Sequence, residues 1–149
     1  MMKTVFVSLF LISFSLISYS QKSPTEISNA FFEKYKQGDS DLAIDYIFTF
    51  SPYAEEIRDG IDDVKRSLKK LLLQYGKYYG FELLTQRFAG PNMTMLTYFV
   101  RHDREPLIIN LLFYKPDNKW QLQNFKYSNP VEEELEEASK INRIRQNWE

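Results

Sequence analysis

The spacing of apolar residues changes period at Gly80, and that change restricts the fold class more than any other feature of the chain. Upstream, apolar positions recur at steps of three and four; downstream they alternate or run together in short stretches. The first period belongs to helices and the second to strands. Four stretches follow the change: Phe81 to Phe88, Met93 to His102, Leu107 to Lys115 and Trp120 to Tyr127. Gly90-Pro91-Asn92, Asp103-Arg104-Glu105-Pro106 and Pro116-Asp117-Asn118 separate them with residues suited to tight turns. Connections this short suit antiparallel neighbours, because parallel strands need long crossovers. The expectation is an α+β domain, with N-terminal helices packed on a four-stranded antiparallel meander sheet.

The helical half carries its own punctuation. Ser23-Pro24-Thr25-Glu26 reads as a capping box with proline at the first helical position. Ile27, Ala30, Phe31, Lys34 and Tyr35 then share a face, and Gly38 closes the helix. Asp39 or Ser40 caps a short second helix through Leu42, Ala43, Tyr46 and Ile47. Ser51-Pro52 is expected to open a third, with a stripe of Ile57, Ile61, Val64, Leu68, Leu71, Leu72 and Tyr75. Gly60 marks a weak point in that helix and Gly76 a stop. After the strands, Pro130 to Trp148 turns helical again, with Val131, Leu135, Ala138, Ile141, Ile144 and Trp148 in one stripe. Its glutamates come first and its basic residues last, as the helix dipole favours.

Residues 1–20 read differently from the rest. Lys3 gives a basic start, Val5 to Ile17 is apolar apart from serines, and Ser18-Tyr19-Ser20 sets small residues before Gln21. That is the layout of a secretory signal peptide. The run is shorter than the roughly 20 residues needed to span a bilayer. The expected division is therefore 1–20 signal peptide, 21–129 folded domain and 130–149 C-terminal amphipathic helix. The expected location is periplasmic or secreted. With no cysteine, the chain can carry no lipid anchor of the lipoprotein type, no disulfide and no thiolate metal site. One histidine rules out a multi-histidine metal centre. Basic and acidic residues nearly cancel at a net charge of −1, so no overall field draws in nucleic acid.

The early helix ending in Gly38-Asp39, the long helix ending in Tyr75-Gly76 and the strands after them resemble the NTF2-like superfamily. Phe113-Tyr114-Lys115-Pro116, followed by Trp120-Gln121-Leu122 and Asn124-Phe125, strengthens the likeness. It runs from about Ser23 to Ser128 and is similar in pattern to uncharacterised exported members from Gram-negative bacteria. The resemblance implies a cone-shaped α+β fold and a homodimer formed through the sheet face.

Turn positions give a first register. Pairing about Asp117-Asn118 sets Phe113 opposite Leu122 and Leu111 opposite Asn124; pairing about Arg104 sets Tyr98 opposite Asn110 and Leu96 opposite Leu112. On that register Met95, Thr97, Phe99, Leu107, Ile109, Leu111, Phe113, Trp120 and Leu122 face the helices. Leu96, Tyr98, Val100, Ile108, Asn110, Leu112, Tyr114, Gln121, Gln123 and Phe125 form the other face, too apolar to stand in water. A second copy of the sheet or the C-terminal helix is the expected cover.

No catalytic motif is present: neither a glycine-rich phosphate loop nor a G-x-S-x-G elbow nor a calcium loop. His102, flanked by Arg101, Asp103 and Arg104, reads as a surface residue at a strand end. Isomerase-like members of the superfamily use a carboxylate base and a tyrosine donor in an apolar pocket. Asp45, Glu82 and Asp103 are the available acids; Tyr35, Tyr46, Tyr79 and Tyr98 are the available donors. Tyr79, Glu82, Tyr98 and Asn110 are the candidate binding residues, with no catalytic residue, metal or cofactor expected. The leading expectation is a non-enzymatic exported domain that binds a small apolar ligand or a protein partner as a homodimer. An isomerase, dehydratase or hydrolase with a carboxylate–tyrosine pair in the cone is the alternative, and a structural protein whose cone is packed shut is another.

Overall fold

Ser23 begins the first helix as its sequence dictates. Its hydroxyl accepts from the Glu26 amide at 3.3 Å and the Glu26 carboxylate accepts from the Ser23 amide at 2.7 Å, so two otherwise orphaned donors are satisfied. The structure, a computed structural model, describes residues 21–129 and Glu136. The expected signal peptide and the expected C-terminal helix, Glu136 apart, lie outside the described residues. Helix α1 spans Pro24–Lys36, α2 Ser40–Phe48 and α3 Arg58–Tyr75; β1 spans Tyr78–Phe88, β2 Met93–His102, β3 Leu107–Tyr114 and β4 Gln121–Ser128. The four strands form one antiparallel sheet in chain order, and the helices pack on one side of it. The α+β meander is therefore the fold.

Helix α3 departs from expectation at its start. Ser51-Pro52 opens a series of turns through Ile57, with the Ile57 amide bonded to the Tyr53 carbonyl at 3.1 Å, and the helix begins only at Arg58. Ile57, at the N-cap, offers no side-chain acceptor. Gly60 does not interrupt the helix, because Ile61, Leu68 and Tyr75 bury one face at seven-residue spacing.

The sheet explains where the turn-based register slipped. Tyr98 pairs with Ile109 and Thr97 with Asn110, one residue away from the expected alignment. A one-residue slip exchanges the faces of a strand, so Leu96, Tyr98 and Val100 turn to the helices and Met95, Thr97 and Phe99 turn away. On β3 the assignment stands: Leu107, Ile109, Leu111 and Phe113 are all in the helix-side core. Phe113 does pair with Leu122, but a bulge then shifts β4, so that Leu111 meets Phe125 and not Asn124. Phe125 thereby joins the core side. A second bulge lies in β1, between Leu83 and Thr85.

The cone between helices and sheet is filled by rings. Phe32 stacks on Phe81 with centroids 4.0 Å apart, and meets Tyr98 edge-on at 4.8 Å and Phe31 edge-on at 5.0 Å. Phe31 reaches Phe125 at 5.9 Å on the other side. Helix α1 thus bridges β1, β2 and β4 through two adjacent side chains. The α2 end is tied to the sheet by the Leu122 amide, which donates to the Phe50 carbonyl at 2.9 Å. Truncating the central ring should leave a cavity that its ordered neighbours cannot close. Phe32→Ala is expected to lower unfolding free energy by about 3–5 kcal/mol, whereas Leu73→Ala, at a position 78% exposed, should change it by about 0.5 kcal/mol or less. Urea denaturation followed by circular dichroism measures both.

Candidate functional site

One-residue alternation along β2 places His102 on the same side as Tyr98 and Val100, beneath the ends of α1 and α3. The turn after it is anchored from both sides. The Asp103 amide donates to the Lys77 carbonyl at 2.9 Å and the Arg104 amide to the Tyr75 carbonyl at 3.0 Å. Gly76 makes this junction possible, with φ +81° and the Asp103 Cβ only 3.0 Å from where its own Cβ would stand.

His102 is therefore half-buried in a group of tyrosines and does not lie free on the surface. Its ring centroid is 5.9 Å from Tyr35, 5.9 Å from Tyr78 and 6.1 Å from Tyr75, each edge-on. Its Nε2 shares a hydrogen bond with the Tyr35 hydroxyl at 3.1 Å. Its Nδ1 is buried and has no hydrogen-bond partner of normal geometry among the described residues. Burial pushes the imidazole below its ordinary pKa, and the Val100 backbone acts weakly in the other direction. Burial likewise raises Tyr35, reinforced by Tyr78, and it raises Tyr75 and Tyr78. At neutral pH the site is an uncharged imidazole hydrogen-bonded to an uncharged phenol.

This pair lines a cleft of about 770 Å³ between the α1–α2 connection and the α3–β1 connection. Leu72 and Leu73 supply an apolar wall from α3, and Tyr78 an aromatic one from β1. The rim is charged but internally balanced. Asp41 pairs with Lys69 at 3.5 Å, and Asp39 accepts the Leu42 amide at 3.0 Å as the cap of α2. Asp41 Oδ1 is left buried without a partner among the described residues. A smaller recess of about 250 Å³ between α3 and β4, lined by Phe48, Ile61, Val64 and Phe125 among others, holds no titratable group.

The four candidate binding residues do not converge. Tyr79 is 56% exposed and donates to Asp103 Oδ1 at 3.3 Å. Glu82 pairs with Arg101 at 3.3 Å on the outer sheet face. Tyr98 sits in the core at 1% exposure, raised by burial with Ser28 opposing, and no hydrogen bond of normal geometry closes on its hydroxyl. Asn110 lies on the opposite face, where its carbonyl accepts from the Thr97 hydroxyl at 2.6 Å and not from Tyr98. Of the remaining acids, Asp45 pairs with Lys65. Tyr46 is half-buried against the core, beneath Lys22 and Lys34. No carboxylate bonds to His102 among the described residues. Those residues also contain no cluster of three metal-ligating side chains and no helix long and apolar enough to cross a membrane.

Comparison with protein-family models, curated proteins and solved structures finds no match to the chain. The site must accordingly be read from its own chemistry. Sequence reasoning missed the His102–Tyr35 pair, yet a signal was present: Tyr35 and Tyr75 each end a buried helical stripe, and His102 ends the alternation of β2.

A histidine whose folded pKa lies below its unfolded value binds fewer protons folded than unfolded between those two values. Its stabilising effect is complete above the unfolded value, about 6.5, and is lost as pH falls below it. The thermal midpoint should thus drop between about pH 7.5 and pH 5.5. His102→Gln should flatten that drop, as scanning calorimetry at both pH values would record.

Proposed function

We propose that the chain is an exported, NTF2-like binding module whose ligand site is the cleft beside His102. The bound molecule is small and amphipathic. Its apolar portion packs on Leu72, Leu73 and Tyr78, and its hydrogen-bonding group reaches the His102–Tyr35 pair. The observation that carries this reading is that pair itself: two neutral, partly buried groups, able to donate or accept, at the wall of a cleft open to water. A neutral site also avoids the desolvation penalty that a charged group would add on binding.

Catalysis is the weaker reading of the same cleft. An isomerase-type base would need a carboxylate whose pKa is set by an apolar pocket beside a phenol. Asp45, Glu82 and Asp103, the acids available for it, are bonded to Lys65, Arg101 and Tyr79 at the surface. Aromatic rings fill the cone, whereas the end cleft of about 770 Å³ is open to water.

Native mass spectrometry of the protein purified from its host envelope is the direct test. A retained small molecule should appear as a discrete mass increment, absent from His102→Ala and reduced in Tyr35→Phe. A ligand held equally well by both variants would overturn the assignment of the site, and turnover of a bound ester or ketone would overturn the non-enzymatic reading.

A further inference from the structure

The sheet face turned away from the helices is not a bare surface. It carries Met95, Thr97, Phe99, Ile108, Asn110 and Leu112 from the two central strands, as their registers place them. Ile108 is only 1% exposed, although it stands outside the helix-side core, and Thr97 is 5% exposed. A side chain on an open sheet face is not hidden to that degree, so something lies over it. A groove of about 300 Å³ runs across this face, bordered by Arg87 and Lys126. Neither of those cations has an ion-pair partner among the described residues.

We propose that residues 130–149 fold back over this face as an amphipathic helix of the same chain. Position, reach, apolar pattern and charge all favour this occupant. The chain leaves β4 at Ser128, which pairs with Ile108. Asn129 is held there, its side-chain amide donating to Glu105 at 2.6 Å. Twenty residues as a helix reach about 30 Å, enough to follow the roughly 27 Å of an eight-residue strand such as β3. Their stripe of Val131, Leu135, Ala138, Ile141, Ile144 and Trp148 is the apolar complement that Met95, Phe99, Ile108 and Leu112 require. Their opening glutamates, at 132, 133, 134, 136 and 137, match the two unpaired cations. Glu136 itself is helical and exposed, as a residue on the polar side of that stripe must be.

Hydrogen exchange and sedimentation velocity on the chain from residue 21 to 149 test this together. The expected result is a monomer whose amides at 131–148 exchange at least about tenfold more slowly than an unstructured chain. Leu112→Glu should abolish that protection while α1 keeps its own. Lys126→Glu, at an exposed position, should weaken it by about threefold. Lys126→Glu decides the matter if Leu112→Glu unfolds the domain. An unprotected segment would overturn the proposal. So would protection accompanied by a dimer mass, which assigns the face to a second copy, and so would protection that neither substitution alters.

Discussion

Adjacent phenylalanines on α1 hold this protein together. A chain without cysteine, and without a metal cluster among its described residues, depends on packing, and Phe31 and Phe32 concentrate that packing at one point. Phe32 reaches β1 and β2 through Phe81 and Tyr98, while Phe31 reaches β4 through Phe125. Neighbouring helical residues point about 100° apart, so one turn of helix clamps strands that are distant within the sheet. The clamp and its extension through Tyr35 put the buried rings of α1 against Phe81, Tyr98, Phe125 and Tyr78.

The clamp also sets the cleft. Tyr35 lies one helical turn beyond Phe31 and Phe32 on the same buried face, so its hydroxyl comes down onto His102 at the end of β2. Because the position of α1 is fixed by rings deep in the core, the Tyr35–His102 distance follows from hydrophobic packing. Desolvation then does the rest, keeping imidazole and phenols neutral. The polarity of the cleft and the stability of the core are consequences of one placement.

The class of fold was legible in the chain because period is a local property: steps of three and four before Gly80, alternation after it. The caps of α1 and α2 were legible for the same reason, as Ser23 and Glu26 need only each other, but the start of α3 at Arg58 was not. Register was not. Whether Tyr98 faces Asn110 or Ile109 depends on how many residues the turn at 103–106 consumes, and that turn is set by the Lys77 and Tyr75 carbonyls, distant in sequence. The bulge that carries Phe125 to the core side is likewise a bargain between β3 and β4, invisible in either alone. The site went unread through the same fault: a slip of one residue on β2 removes Tyr98, Val100 and His102 from the core side together. The four residues picked from their local oddity were exposed, bonded elsewhere or split between two faces, since local oddity carries no information about convergence.

Both outermost strands of the sheet contain an irregularity, β1 between Leu83 and Thr85 and β4 at the residue between Leu122 and Asn124. A flat, regular edge offers its free amides and carbonyls to any extended chain that approaches, and β1, eleven residues long with Leu83, Leu84 and Phe88 exposed, would otherwise be such an edge. The extra residue twists the strand and breaks its hydrogen-bonding rhythm. The β4 bulge that hid the Leu111–Phe125 pairing from the sequence and the bulge in β1 thus act as end-stops, interrupting both edges of the sheet against the addition of a further strand.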